Sequence, residues 1–141
     1  MRLPDTHKIL FGGDYNPEQW PEDTWEADMA LFHEAHVDEV TLNVFSWAML
    51  QPSEDVYDFE KLDKIMDMVK RNGLKDIMAT STAATPAWMA KRYPETLKTD
   101  AEGRRRHFGG RQNFCPNSEA FRKYASGLTA RIPARCKDYS K

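Results

Sequence analysis

Three short blocks rich in apolar residues recur along the chain, and each block ends in or is followed by glycine, small or polar residues. The blocks cover residues 8–13, 40–45 and 74–79. Apolar runs of this length are typical of buried strands and are too short for helices. Because the blocks begin 32 and 34 residues apart, their spacing matches the period of a repeated strand–helix unit.

After each block, apolar residues recur with the spacing of an amphipathic helix. This pattern predicts helices over residues 25–35, 59–72 and 118–131. His36 follows the first helix, at the position where a left-handed glycine is usual. Pro133 lacks a backbone N–H, and we expect it to end or kink the third helix.

The segment between the third strand and the third helix interrupts the strand–helix repeat. Residues 85–117 are rich in proline, glycine and arginine. A connection of this length without its own secondary structure is uncommon in a compact domain unless it has a function. We therefore expect a functional loop after the third strand.

The order of these elements predicts an α/β fold with parallel strands. Three strands alone would leave sheet edges unpaired and apolar faces uncovered. A complete doubly wound domain normally has more strands, whereas eight strand–helix units of about 250 residues close a barrel. We interpret residues 1–141 as the N-terminal part of a (β/α)8 TIM barrel, ending before the fourth strand.

Composition narrows the class of protein. The chain has 141 residues, is 40% hydrophobic and 30% charged, and carries a formal net charge of −2. These values indicate a soluble globular unit and give no electrostatic reason for a nucleic acid partner. No apolar run is long enough for a membrane span, and residues 1–8 lack the apolar region of a leader. We therefore expect no membrane partner and a cytoplasmic location.

The ends of the predicted strands indicate where functional residues lie, because ligands bind at the carboxyl ends of parallel strands. The predicted strand ends and the long loop combine aromatic rings with amide, carboxylate and guanidinium groups. Such groups suit a polyhydroxylated ring, which stacks on aromatic faces and hydrogen-bonds to polar groups. The predicted sugar-binding residues are Asp14, Tyr15, Asn16, Trp47, Trp88 and Arg111.

These residue types leave other roles open. The tryptophans could fill the core rather than face a ligand. Asp14 is the only acid at a predicted strand end, and a single carboxylate cannot perform the two-carboxylate chemistry of glycoside cleavage. A hydrogen-bonded orienting role or a turn cap suits Asp14 better. Sequence motifs of P-loop, dinucleotide-binding and serine hydrolase proteins are absent.

Five motifs in order resemble the N-terminal portion of a β-galactosidase of glycoside hydrolase family 42. The resemblance covers roughly residues 9–132. The motifs are GGDYNPEQW at 12–20, FSW at 45–47, YDF at 57–59 with Leu62 and Asp63, AATPAW at 83–88, and Gly110-Arg111 followed by CPNS at 115–118.

The resemblance implies a (β/α)8 catalytic domain that hydrolyses terminal β-D-galactosides with retention of configuration. In that mechanism a glutamate nucleophile and a glutamate acid/base lie about 5–5.5 Å apart. The family carries them at the ends of the seventh and fourth strands, positions that this chain does not contain. The resemblance also assigns Arg111 to the galactose subsite and implies a homotrimer.

A structural zinc ion is a further implication of the resemblance. Cys115 resembles the first of four cysteines that bind zinc in some members, and its three partners would follow the fourth strand. Cys136 matches none of them, so the metal site is incomplete in this chain. No cofactor is expected for the reaction itself.

Two competing interpretations stay open. The chain could be a small sugar-binding or scaffold module that folds alone and binds galactosides without cleaving them. It could also be a complete doubly wound domain, which would need additional strands where we expect the loop over residues 85–117.

Overall fold

A computed structural model describes residues 7–137 and residue 139. The predicted absence of a leader falls largely on residues 1–6, which lie outside the described part. The described chain has an α/β fold of three strands and five α-helices. These are β1 (Gly12–Asp14), α1 (Trp25–Glu34), β2 (Glu39–Leu42), α2 (Trp47–Leu50), α3 (Glu60–Arg71), β3 (Lys75–Met78), α4 (Ala87–Arg92) and α5 (Glu119–Cys136).

The three strands form one parallel sheet in the order β1-β2-β3, which confirms the predicted strand–helix repeat. Val40 lies at the centre, opposite Gly13 on one side and Asp76 on the other. Val40 and Leu42 of β2 are buried beneath the helices, whereas Thr41, on the opposite face, is only partly buried. The helices therefore cover one face of the sheet.

The first strand is shorter and later than predicted. Ile9 and Phe11 are 95% and 62% exposed, so the apolar block at residues 8–13 is not a buried strand. Pairing with β2 begins at Gly12, where a Cβ atom would lie 1.7 Å from the main-chain oxygen of Glu39. The side chains before Gly12 are apolar, but they do not make the segment a strand. The backbone comes close enough to pair with β2 only from Gly12 onward, where there is no Cβ atom.

Helix α1 ends as the sequence predicts. His36 adopts a φ of 56°. Its N–H donates to the carbonyl oxygen of His33, and the N–H of Val37 donates to that of Phe32. These bonds satisfy the last carbonyl groups of the helix, as a left-handed residue at this position does.

Two short helices, α2 and α4, are absent from the prediction. Helix α4 follows Pro86 and lies inside the segment that we expect to be an irregular loop, so that expectation is wrong for residues 87–92. Helices of four and six residues span less than two turns and leave too few apolar positions to show a helical period.

The last helix, α5, begins as predicted and ends later. The Oγ atom of Ser118 accepts a hydrogen bond from the N–H of Phe121, which caps the helix. Pro133, which we expect to end or kink the helix, does not end it, because α5 continues to Cys136. Ile132 is buried, and Arg135 binds the carboxylate of Asp63 on α3, so tertiary contacts hold the final turn in helical form.

The core lies between the sheet and the helices. It is built from large apolar and aromatic side chains of α1, β2, α2, α3, α4 and α5. Its members include Trp25, Met29, Val40, Leu42, Trp47, Leu50, Leu62, Met66, Val69, Met89, Phe121, Tyr124, Leu128 and Ile132. Within the described residues, no helix combines the length and the hydropathy needed to cross a membrane.

Candidate functional site

The three strands end at one edge of the sheet, and the loops that follow them start side by side. β1 ends at Asp14, β2 at Leu42 and β3 at Met78. In folds with parallel strands, this carboxyl edge is where ligands bind. The loops that begin there are therefore the first candidates for a binding site.

Two residues at this edge adopt left-handed backbone conformations. Asn43 and Ser81 have φ angles of 70° and 61° and are 2% and 1% exposed. The Oγ of Ser81 donates to the carbonyl oxygen of Asn43 at 2.5 Å, and Nδ2 of Asn43 donates to that of Ala79 at 3.2 Å. Non-glycine residues in this region are uncommon and cluster at functional sites.

The long loop folds back on itself. Isolated antiparallel bridges join Leu97 to Phe114 and Thr99 to Arg105. The N–H of Lys98 donates to the carbonyl oxygen of Asn113 at 3.0 Å. These bonds join the two halves of the loop.

Glycines shape the tip of this loop. Gly109 has a φ of 101°, and a Cβ atom on Gly110 would lie 2.1 Å from Nδ2 of Asn113. That Nδ2 donates to the carbonyl oxygen of His107 at 3.1 Å. The small tip therefore closes tightly and leaves Arg111 on its surface.

An aromatic stack attaches the loop to the core. The ring of Phe114 lies parallel to that of Phe121 on α5, with centroids 4.2 Å apart. Phe121 also contacts the fully buried ring of Trp47 at 5.8 Å. The loop is thus packed against the helix layer as well as bonded to itself.

A cavity of about 320 Å³ opens between this loop and the strand ends. Its volume lies near the lower end of the range for small-molecule sites. No carboxylate lines it within the described part of the chain. The lining residues are Phe45, Ala84, Thr85, Leu97, Phe108, Gly109, Gly110, Arg111 and Asn113.

Arg111 carries the positive charge of this cavity. Its Cζ atom lies 5.1 Å from the centroid of the Phe45 ring, a cation–π distance. Among the described residues, its side chain has no carboxylate partner and no hydrogen bond. A guanidinium has five N–H donors, and all five are available to a ligand.

Three of the predicted sugar-binding residues lie at or directly after the end of β1, outside this cavity. Tyr15 is buried against α1, where its hydroxyl donates to Asp28 at 2.9 Å, and burial raises its pKa. Asp14 is exposed at the strand end. Asn16 is partly buried and precedes the short turn Pro17–Gln19.

The two predicted tryptophans also lie elsewhere. Trp47 is 0% exposed, and its Nε1 donates to Oε1 of Gln51 at 2.9 Å. Trp88 is partly buried, and its Nε1 donates to the main-chain oxygen of Gln51 at 2.8 Å. Both indoles therefore bind Gln51 at the start of the loop after α2, and Arg111 is the predicted residue that the cavity contains.

One acid near the strand ends, Glu18, is not among the residues predicted from the sequence. Glu18 follows β1, and its Oε1 accepts a hydrogen bond of 2.8 Å from the hydroxyl of Ser46. The ammonium group of Lys61 donates to the main-chain oxygen of Glu18. Glu18 therefore joins the loops after β1 and β2. No local pattern in the sequence signals this contact.

A second acid, Glu54, lies in the loop before α3. Its Oε1 accepts hydrogen bonds from the hydroxyls of Tyr93 and Tyr124, and Nε of Arg92 lies 2.7 Å from its Oε2. The Tyr124 hydroxyl, followed by that of Tyr93, holds the pKa of Glu54 below its ordinary value. Burial and the bond to Glu54 raise the pKa of Tyr124. This network connects α4, α5 and the loop after α2.

The described residues supply one candidate zinc ligand, Cys115, and no complete set of ligands. Cys115 and Cys136 are free thiols, and no group of three or more His, Cys, Asp or Glu side chains comes together in the described part. The N–H of Cys115 donates to the carbonyl oxygen of Thr96 at 2.7 Å, which fixes the backbone of Cys115 in the loop.

Comparisons with known proteins agree with this architecture. The model of glycoside hydrolase family 42, described as β-galactosidase, matches residues 14–141. The β-galactosidase LacZ of Heyndrickxia coagulans is 49% identical over 137 residues, which cover 97% of this chain and 21% of that protein.

Solved structures of β-galactosidases superpose closely on the described fold. The enzyme from Bacillus circulans sp. alkalophilus gives a TM-score of 0.91 at 52% identity, over 94% of this chain and 20% of that one. A catalytic mutant of Gan42B, a GH42 β-galactosidase from G. stearothermophilus, gives 0.89 at 40% identity over the same shares. The chain thus spans about one fifth of the length of the relatives it matches.

Proposed function

Because the chain belongs to glycoside hydrolase family 42, the β-galactosidases, we propose that it takes part in the hydrolysis of terminal non-reducing β-D-galactose residues from β-D-galactosides. The reaction is a double displacement with retention of configuration. The proposal rests on the family match together with a cavity at the carboxyl edge of a parallel sheet.

The parallel sheet supplies the first three strands of a (β/α)8 barrel. Its strand order and its single helix-covered face support this assignment, because barrel strands pair in sequence order with helices outside. Ile77 of β3 is exposed on the sheet, and Phe11 is exposed directly before β1. In the closed barrel, further strands pair with the outer strands and cover such side chains.

Within this reaction the chain supplies binding groups rather than the catalytic carboxylates. Retaining hydrolysis needs two carboxyl groups about 5–5.5 Å apart. Asp14 is exposed at the end of β1, Glu18 is bonded to Ser46, and Glu54 is bonded to two tyrosines. None of these three acids lines the cavity. This assignment of a binding role rather than a catalytic role rests on the cavity, whose described lining includes Arg111 and no acid.

Arg111 binds the hydroxyl groups of the galactose. A neutral sugar presents hydroxyl oxygens that accept hydrogen bonds, and an arginine without a carboxylate partner offers five donors in a fixed geometry. The apolar side chains of Phe108 and Leu97 line the same cavity and can contact the C–H surfaces of the sugar ring.

A chimaera tests this proposal. The matching segment of the Bacillus circulans sp. alkalophilus β-galactosidase is replaced by this chain, and hydrolysis of a chromogenic β-galactoside is measured. We expect a functional enzyme in which Arg111→Ala lowers kcat/KM roughly 10- to 100-fold, as loss of a charged donor does. Arg105→Ala, which changes an exposed arginine of the same loop, is the matched control and should leave kcat/KM unchanged.

A non-catalytic sugar-binding module is the second candidate function. The acid-free lining of the cavity favours it. The 141-residue chain alone should then bind galactose in a calorimetric titration, with weaker binding by Arg111→Ala, and should not hydrolyse the chromogenic galactoside. Hydrolysis by the pure chain would contradict both candidates.

Three further expectations remain proposals. The family resemblance implies a homotrimer and, in some members, a zinc ion bound by four cysteines. The composition suggests a cytoplasmic location. The described residues hold one cysteine of such a zinc set, Cys115, and its thiol is free.

A further inference from the structure

The contact between Arg111 and Phe45 joins two loops that are distant in sequence. Arg111 lies at the tip of the long loop, whereas Phe45 follows β2, and the guanidinium carbon is 5.1 Å from the ring centroid. We propose that Phe45 is a positioning residue, which holds the Arg111 guanidinium in place for the sugar while leaving its N–H donors free. This inference rests on the function proposed for Arg111.

An aromatic face and a carboxylate hold an arginine in different ways. A carboxylate takes up two N–H donors of the guanidinium in a bidentate pair and neutralises its charge. A ring attracts the cation through its quadrupole and consumes no hydrogen-bond donor. Phe45 can therefore restrict the motion of Arg111 without competing with a sugar hydroxyl.

The backbone on both sides of Phe45 is fixed. Two residues before it, Asn43 is bonded to the end of β3 through Ser81 and Ala79. Directly after it, the hydroxyl of Ser46 is bonded to Glu18, and Trp47 is fully buried. The ring of Phe45 is thus attached to a rigid segment, as a platform for another side chain must be.

The acids of the described loops do not pair with Arg111. Glu18 accepts from Ser46, and Glu54 is bonded to two tyrosines and paired with Arg92. Asp100, in the same loop as Arg111, pairs with Arg104 at 3.1 Å. Each of these carboxylates has its own partner, and Asp14 at the end of β1 does not line the cavity. Among the described residues, the contact of the Arg111 cation is the ring of Phe45.

The chimaera described above tests the inference with variants that preserve the shape of the ring. Phenylalanines with one, two or three ring fluorines replace Phe45, because fluorine weakens the negative face while changing size little. We expect KM for the chromogenic galactoside to rise stepwise with fluorine number, by roughly 2- to 30-fold in total, with a small change in kcat. Phe45→Trp, which keeps an electron-rich face, should retain a low KM.

Two controls separate a positioning role from a structural one. The same fluorinated residues at Phe114, which stacks on Phe121, should leave KM unchanged. In the Arg111→Ala background, fluorination of Phe45 should have no further effect. A flat KM series in an enzyme whose KM responds to Arg111→Ala would overturn this inference and leave the proposed function standing. An enzyme that does not respond to Arg111→Ala would overturn both.

A measurement on the chain itself is independent of activity. The ring current of Phe45 should displace the side-chain N–H resonance of Arg111 in a proton–nitrogen NMR spectrum, and Phe45→Leu should return it to the ordinary position. An Arg111 resonance that is ordinary in the unmodified chain would overturn the contact on which the inference depends.

Discussion

Ser81 donates a 2.5 Å hydrogen bond to the main-chain oxygen of Asn43, and both residues hold positive φ angles. Each lies just beyond the end of a neighbouring strand, so the bond ties together the loops that start from β2 and β3. Phe45 lies in the loop after β2, and Ala84 and Thr85 lie in the loop after β3. All three line the cavity that contains Arg111. Stability and binding therefore share a structural element.

Two substitutions of Ser81 distinguish the contribution of its hydrogen bond to stability from the cost of its positive φ angle. We expect Ser81→Ala to destabilise the chain by about 1–3 kcal/mol, because a buried carbonyl group loses its donor. Ser81→Gly loses the same donor but adopts positive φ without steric cost, so it should be about 1 kcal/mol more stable than the alanine variant. Urea denaturation measures both. Equal free energies of unfolding for the two variants would contradict the strain at this position.

The network around Glu54 predicts how stability depends on pH. Hydrogen bonds from Tyr124 and Tyr93 hold the pKa of Glu54 below its ordinary value of 4.5. A lowered folded-state pKa means that the carboxylate stabilises the fold above about pH 4.5 and that this contribution is lost as pH falls through the folded pKa. Glu54→Gln should therefore lower stability at pH 7 and weaken its decline in acid.

Thermal unfolding from pH 7 down to pH 3 measures this effect. The matched control is Glu95→Gln, which changes an exposed acid without a hydrogen-bond partner among the described residues. It should leave the unfolding temperature at pH 7 unchanged. The network has no stabilising role if Glu54→Gln and the control give the same pH profile.

Periodic patterns in the sequence predicted the elements that have strong local signals. The long amphipathic helix α3 and the left-handed His36 follow from residue types within a few positions of each other. The parallel order of the strands follows from their spacing. These features depend on local chemistry, which a single sequence contains in full.

The candidate site depends on contacts without a local signal. Tyr93 and Tyr124 reach Glu54 across 39 and 70 residues, and Arg111 reaches Phe45 from a different loop. The residue type of Trp47 does not determine its role either, because an indole can contact a sugar or fill a core. In the structure Trp47 lies in the core, where it is fully buried and its Nε1–H donates a hydrogen bond to Gln51.

Neighbouring glycines in β1 allow a matched comparison. A Cβ atom on Gly12 would lie 1.7 Å from the main-chain oxygen of Glu39, whereas one on Gly13 would meet nothing within 4 Å. We expect Gly12→Ala to destabilise the chain by about 1–3 kcal/mol, because β1 must move away from β2. Gly13→Ala should stay within about 0.5 kcal/mol of the unmodified chain. Similar urea midpoints for the two variants would show that β1 and β2 do not pair in this register.

Pro133 lies inside α5, where it removes a backbone donor in the last turns of the helix. We expect Pro133→Ala to stabilise the chain by about 1–3 kcal/mol, because alanine restores the N–H and relieves the clash of the proline ring with the preceding turn. Pro94→Ala is the matched control. Pro94 begins a short 3-10 turn, where a fixed φ is favourable and no N–H is needed. Urea denaturation should therefore show a gain for the first variant and none for the second, and an unchanged midpoint for Pro133→Ala would mean that α5 already compensates for the missing donor.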